Sequence, residues 1–130
     1  MDVDRYCKHV EQKLKGGLSS VLVLYTIGGA GRPIHGYSII RRIDELTGGY
    51  VKVRAGTVYP ILRNLEEMGL VSHDAERSVR GPERKVYTLT DDGKEAVGRF
   101  DQVIGEFYLA IASIRSEPGM SWGGPEGPDV

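Results

Sequence analysis

The sequence predicts an α+β fold that is mainly helical: short helices, one two-stranded hairpin and a long C-terminal helix. Three observations carry this. Val58, Ile61, Leu62, Leu65 and Met68 recur at the i, i+3, i+4, i+7 and i+10 positions of one helical stripe. Two short, partly β-branched segments, residues 70–75 and 84–90, flank a polar link containing Gly81-Pro82, as a hairpin requires. Beyond Thr90 the apolar residues fall into two heptad series, Val97/Ile104/Ile111 and Phe100/Phe107/Ile114. With 130 residues the chain can bury one ordinary core, and a second independent domain would be below the usual size.

From the N-terminus, Val3, Tyr6, Cys7, Val10 and Leu14 share one helical face, with Asp4, Arg5, Lys8, Glu11 and Lys13 on the others. An amphipathic helix is therefore expected over residues 3–15, ended by Gly16-Gly17. Residues 18–27 are almost wholly apolar and stop at Gly28-Gly29, which suits a buried helix or a buried strand equally. Pro33 to Gly36 reads as a turn. Tyr37, Ile40, Ile43 and Leu46 then mark a short helix closed by Gly48-Gly49.

At the end of the 58–68 stripe, Gly69 stands where a left-handed C′ residue belongs, with Leu65 and Leu70 as its apolar pair. Thr90 can cap the last helix, and Asp91 and Asp92 suit its positive end. That helix should reach about Arg115, roughly 37 Å at about 1.5 Å per residue. Residues 116–130 contain four glycines and three prolines without apolar periodicity, so a flexible tail is expected. The expected organisation is a compact unit over residues 1–90, a helix over 91–115 and the tail.

Composition excludes several classes. The apolar share of 40% and charged share of 27% match globular proteins and neither disordered nor membrane chains. No run of 18 apolar residues occurs, and the acidic, polar start is unlike a secretory signal, so a cytoplasmic location is expected. Cys7 cannot form an intrachain disulfide and is read as a small core residue. Cys7, His9, His35 and His73 are scattered without paired ligand spacing, so neither a metal site nor a catalytic constellation is expected. No cofactor is expected either: the strand-like residues 21–25 followed by Gly28-Gly29-Ala30-Gly31 lack the third glycine of a dinucleotide loop and run into Pro33. The net charge of −1 hides an asymmetry. Residues 1–90 hold 14 Lys/Arg against 10 Asp/Glu, and residues 91–130 hold 3 against 8. The first part can face phosphate; the last should not.

The order helix, helix, stripe-bearing helix, hairpin, long helix is that of a winged helix-turn-helix with an appended C-terminal helix. The motifs then become specific: His35-Gly36-Tyr37 opening the second of these helices, Gly56-Thr57-Val58-Tyr59-Pro60 opening the third, then Leu62-Arg63, Leu65-Glu66 and Gly69-Leu70-Val71. Arg84-Lys85-Val86-Tyr87-Thr88-Leu89-Thr90 and Gly93 follow. Over residues 16–115 the chain resembles the PadR family of transcriptional regulators. Two positions depart from the family pattern: Arg54, where a small polar cap is common, and Ser38, where Glu is common.

The resemblance implies a DNA-binding regulator, a repressor acting as a homodimer on an inverted-repeat operator, and no enzyme. On the third helix Tyr59, Arg63 and Asn64 lie opposite the apolar stripe, and Gly56 and Thr57 at its start are small enough for close approach to phosphate. Arg63 there can bond a guanine edge or a phosphate. Arg54 precedes that helix, and the resemblance brings Tyr37 to the same boundary. Arg80 and Arg84 on the hairpin are candidate phosphate contacts, amid Glu76, Arg77, Glu83 and Lys85. Val97, Phe100, Ile104, Phe107, Ile111 and Ile114 form the expected dimer seam. Some relatives stack flat aromatic effectors on a tryptophan of the C-terminal helix; here the corresponding residue is Ile104 and the single tryptophan is Trp122, in the tail. A small-molecule effector is thus compatible with the resemblance, but not by that contact. The competing expectation is a winged-helix protein-interaction module that does not bind DNA, which the near-neutral total charge favours.

Overall fold

The computed structural model describes residues 2–77 and 81–119, so Arg80, Trp122 and most of the expected tail lie outside the described residues. The elements are α1 (Val3–Gly17), α2 (Ser19–Gly29), β1 (Ile34–His35), α3 (Gly36–Leu46), α4 (Ala55–Glu67), β2 (Val71–Glu76), β3 (Arg84–Leu89) and α5 (Asp91–Arg115). The chain divides into two compact units, Met1–Val97 and Gly98–Val130. The fold is a winged helix: helical, with a small antiparallel sheet and a C-terminal helix.

In the first unit the core is built from Val23, Leu24, Ile39, Ile43, Val58, Leu62, Leu65 and Val71, each at most 2% exposed. The apolar run at 18–27 is a helix. Val21, Val23, Leu24 and Ile27 are all buried, because α2 is packed against α3, α4 and β3 on different sides. A helix that is apolar all round can satisfy such a position without free strand edges. Its two buried hydroxyls are satisfied within the chain, Ser19 donating to the Lys15 carbonyl at 3.0 Å and Thr26 to the Leu22 carbonyl at 2.7 Å.

Several details differ from the sequence-based expectation. Gly16-Gly17 do not end α1, which runs through both and passes to α2 over Leu18 alone. Cys7 is exposed, and no residue of α1 is buried. In α3 the inward face is Gly36, Ile39 and Ile43, while Tyr37 and Leu46, 65% and 67% exposed, point away. Met68, the last of the expected stripe, is the exposed C-cap of α4. Ile34-His35 forms a third strand within the expected turn, so the sheet order is β1-β3-β2. Two residues are too short to show alternation, and only pairing of Ile34 with Tyr87 and His35 with Val86 defines that strand.

The junctions after α4 are well specified. Gly69 adopts φ +76°, Leu70 N–H bonds to the Leu65 carbonyl at 2.9 Å and Gly69 N–H to the Glu66 carbonyl at 3.0 Å. This is the Schellman pattern, and it turns the chain from α4 into β2. The Thr90 hydroxyl accepts from Gly93 N–H at 3.1 Å and donates to the Gly69 carbonyl at 2.6 Å, so the cap of α5 also closes on the end of α4.

Candidate nucleic-acid interface

The site is assembled from the starts of α3 and α4 and from the sheet. Arg54 caps α4 in an extended conformation without a side-chain cap bond, so its guanidinium is uncommitted to the helix terminus. Its carbonyl closes the first turn, accepting from Thr57 and Val58 N–H at 2.9 and 3.0 Å. Pro60 is tolerated six residues into α4, although it has no N–H to offer the Gly56 carbonyl. Gly56, Thr57, Arg63 and Asn64 are exposed, while Val58, Leu62 and Leu65 are buried. The polar face of α4 therefore stands opposite its apolar stripe, as the periodicity requires.

Tyr59 is held by a close approach to α3. A Cβ at Gly36 would lie 2.7 Å from Tyr59 Cε1 and 3.0 Å from its hydroxyl, so the ring in this position rests directly on the glycine backbone and a side chain there would displace it. The ring remains 43% exposed, and it both packs and presents a surface.

A cleft of about 600 Å³ opens beside it, lined by Tyr37, Tyr59, Arg63 and Arg84 together with His35, Ser38, Glu66, Lys85 and Tyr87. Four sequence-predicted residues from α3, α4 and β3 thus meet in one concavity. Arg54, Gly56, Thr57 and Asn64 do not line it and lie exposed at the start and along the outer face of α4. Arg80 lies outside the described residues.

His35, Glu66, Lys85 and Tyr87 were not singled out as site residues, although all four sit within the quoted motifs. Their roles depend on cross-strand register, which sequence does not display. His73 and Tyr87 are paired across β2 and β3, with ring centroids 6.1 Å apart. His73 Nδ1 is paired with the Glu66 carboxylate, linking the last turn of α4 to the wing strand. His35 Nε2 lies 3.8 Å from the Glu76 carboxylate, and His35 Nδ1 is buried without a hydrogen-bond partner among the described residues. Burial, then the Glu66 carboxylate and then Tyr59 hold the Tyr87 hydroxyl above its ordinary pKa of 10.0, so it remains a neutral donor at physiological pH.

The second unit carries a different surface. Along α5, Ile104 is 36% exposed, Phe107 66%, Ile111 47% and Ile114 60%, with Val103, Tyr108 and Leu109 also exposed; Phe100 is half-buried. In the first unit, Val97 is half-buried and α1 exposes Val3, Tyr6 and Leu14. Within the second unit, large apolar side chains exposed along one helix are characteristic of interaction faces. No described helix is long and apolar enough to cross a membrane.

The family model described as the transcriptional regulator PadR-like family matches residues 23–99, more than half of the chain. The chain belongs to this family. The solved structures similar to this PadR-like regulator agree. A transcriptional regulator from Streptococcus is 31% identical, with a TM-score of 0.65, covering 81% of this chain and 98% of its own. A PadR family transcriptional regulator from Eggerthella lenta, 21% identical, shares the fold with a TM-score of 0.76 over 87% of this chain and 95% of its own. Bacillus subtilis PadR, solved in complex with operator DNA, is 24% identical with a TM-score of 0.58, covering 64% of this chain and 46% of its own. No curated protein sequence matches the chain.

Proposed function

We propose that this PadR-like regulator is a homodimeric repressor that binds inverted-repeat operator DNA through α4, with the β2–β3 wing on the adjacent backbone. The observation that carries this reading is the convergence of Tyr37, Tyr59, Arg63 and Arg84 on one cleft, beside the exposed polar face of α4. Arg63 and Asn64 are the candidate base-reading residues. Gly56, Thr57, Arg54, Arg84 and Arg80 are the candidate phosphate contacts, and Tyr37 and Tyr59 flank the groove. The operator complex of the Bacillus subtilis relative supports the same use of the fold.

Dimerisation rests on Val97, Phe100, Ile104, Phe107, Ile111 and Ile114, helped by the apolar residues of α1. Burying a large apolar side chain is worth about 1.5–3 kcal/mol, and several such residues per chain can exceed an association cost of about 4–15 kcal/mol. A twofold pair reading both half-sites from one side of the duplex requires half-site centres one DNA turn apart, roughly 34 Å, or a multiple of it. Repression then follows from occupancy, and an effector acts by shifting the spacing or orientation of the paired reading helices.

Recovery of bound fragments from random duplex DNA tests this reading, and affinity should fall steeply with salt through counterion release. An enriched inverted repeat is the expected result. Absence of salt-dependent duplex binding would refute it and select a protein-interaction module, the reading that the net charge of −1 favours.

A further inference from the structure

A second concavity of about 350 Å³ adjoins the cleft and shares His35 and Ser38 with it. Its remaining lining includes Arg32, Arg42 and Glu76. Four segments supply these groups, Glu76 coming from the end of β2. Arg32 lies in the α2–β1 turn between Gly31, at φ +67°, and Pro33, which restricts the residue before it to extended conformations. His35 is on β1, and Ser38 and Arg42 are four residues apart on one face of α3.

Neither Arg32 nor Arg42 has an ion-pair partner among the described residues, whereas Arg41, next to Arg42, is paired with Glu45 at 3.6 Å. Glu76 is the sole carboxylate in the lining, and it faces His35 Nε2. The buried Nδ1 of His35 has no hydrogen-bond partner among the described residues. Two uncommitted guanidiniums, a hydroxyl and an imidazole around one small polar hollow match the needs of a tetrahedral oxyanion.

We infer that Arg32, His35, Ser38 and Arg42 form a phosphate-binding pocket. Because the pocket continues the cleft through His35 and Ser38, a backbone phosphate of bound duplex is the source that the geometry favours, and this part rests on the DNA-binding reading above. A free phosphate presents the same chemistry. Glu76 opposes either anion and sets the affinity below what the two arginines alone would give.

The test uses the full chain, Arg32→Gln, Arg42→Gln, their double variant and Glu76→Gln. Arg32 and Arg42 are exposed, so unchanged thermal midpoints are expected. On duplex DNA, the slope of log affinity against log salt should fall by about 0.9 for each arginine removed, with base preference unchanged. Arg42→Lys should retain the slope, and Glu76→Gln should bind duplex more tightly than wild type. In parallel, inorganic phosphate is titrated against the backbone amide resonances of Ser38 and Arg42, with saturable shifts expected in wild type and none in the double variant. An unchanged salt slope with those shifts present assigns the pocket to free phosphate. Unchanged slopes with no phosphate-dependent shifts overturn the pocket. Should wild type bind no duplex at all, the DNA reading fails, and the phosphate titration alone decides the pocket.

Discussion

Gly93→Ala inverts the usual effect of its substitution type. Gly93 is the third residue of α5, and alanine in a helix is ordinarily favoured over glycine by about 0.5–1 kcal/mol. Here a Cβ would be driven onto the Leu70 carbonyl oxygen, with the carbonyl carbon 3.1 Å away and Leu89 Cδ2 3.3 Å away. The obstacle is backbone and cannot rotate aside. The same carbonyl accepts Thr90 N–H at 3.1 Å, and Thr90 ties Gly69 to Gly93 through its hydroxyl. Relief must therefore open the α4–β2 junction or the cap of α5. Overpacking costs about 1–3 kcal/mol and a lost cap about 0.5–2 kcal/mol, so with a helix gain of about 0.5–1 kcal/mol subtracted the net destabilisation should be about 0.5–4.5 kcal/mol. For a domain near this size, each kcal/mol moves the midpoint by about 4–8 °C, so thermal unfolding at fixed protein concentration should show a fall of about 2 °C or more. Gly98→Ala, with no described atom within 4 Å of its Cβ position, is the control and should stabilise by about 0.5–1 kcal/mol. A Gly93→Ala midpoint equal to or above wild type would refute the close approach.

Three further outcomes are expected. Arg63→Ala should leave the fold intact and cost about 1–3 kcal/mol in operator affinity if it makes a bidentate guanine contact, relaxing preference at one base pair per half-site; a uniform loss over all sequences would make it a phosphate contact instead. Ile104→Asp with Phe107→Asp should convert a dimer into a monomer or aggregate in sedimentation and abolish operator binding, whereas a wild type that is monomeric at low micromolar concentration yet binds an inverted repeat would refute the seam. The raised pKa of Tyr87 contributes stability that is fully present below its unfolded value of 10.0 and is lost as pH rises through the folded value, because the unfolded chain ionises first. Tyr87→Phe should therefore flatten the alkaline fall in thermal midpoint, and an identical fall in both proteins would show that Tyr87 is not buried against Glu66 and Tyr59.

The electrostatic division along the chain bears on how these variants are compared. The basic excess lies within residues 1–90 and the acidic excess beyond it, so a change of total charge is a poor guide to duplex affinity. Arg63, Arg32 and Arg42 carry equal charge, yet their removal is expected to differ in effect. Arg63 faces the cleft from α4, and the other two line the hollow beside it. Base preference separates the first from the others, and the salt slope counts the phosphate contacts.

What the sequence by itself determined is what depends on neighbours a few residues apart. The α4 stripe, the Gly69 cap, the Thr90 cap and the end of α5 near Arg115 are local patterns, governed by helical periodicity and by backbone groups within one turn. The family motifs were legible for the same reason. Tertiary structure decided what depends on partners distant in the chain. Residues 18–27 became a helix because α3, α4 and β3 enclose them, and Ile34-His35 became a strand only because β3 offered free backbone groups. Cys7 shared a periodic apolar face with Val3 and Tyr6, but periodicity does not say whether that face meets the chain's own core; within this chain it is exposed. Gly36 and Gly93 look like ordinary helical glycines in the sequence. Their significance is the missing Cβ, which lets the Tyr59 ring and the Leu70 carbonyl come close, and no local propensity encodes an approach from another element.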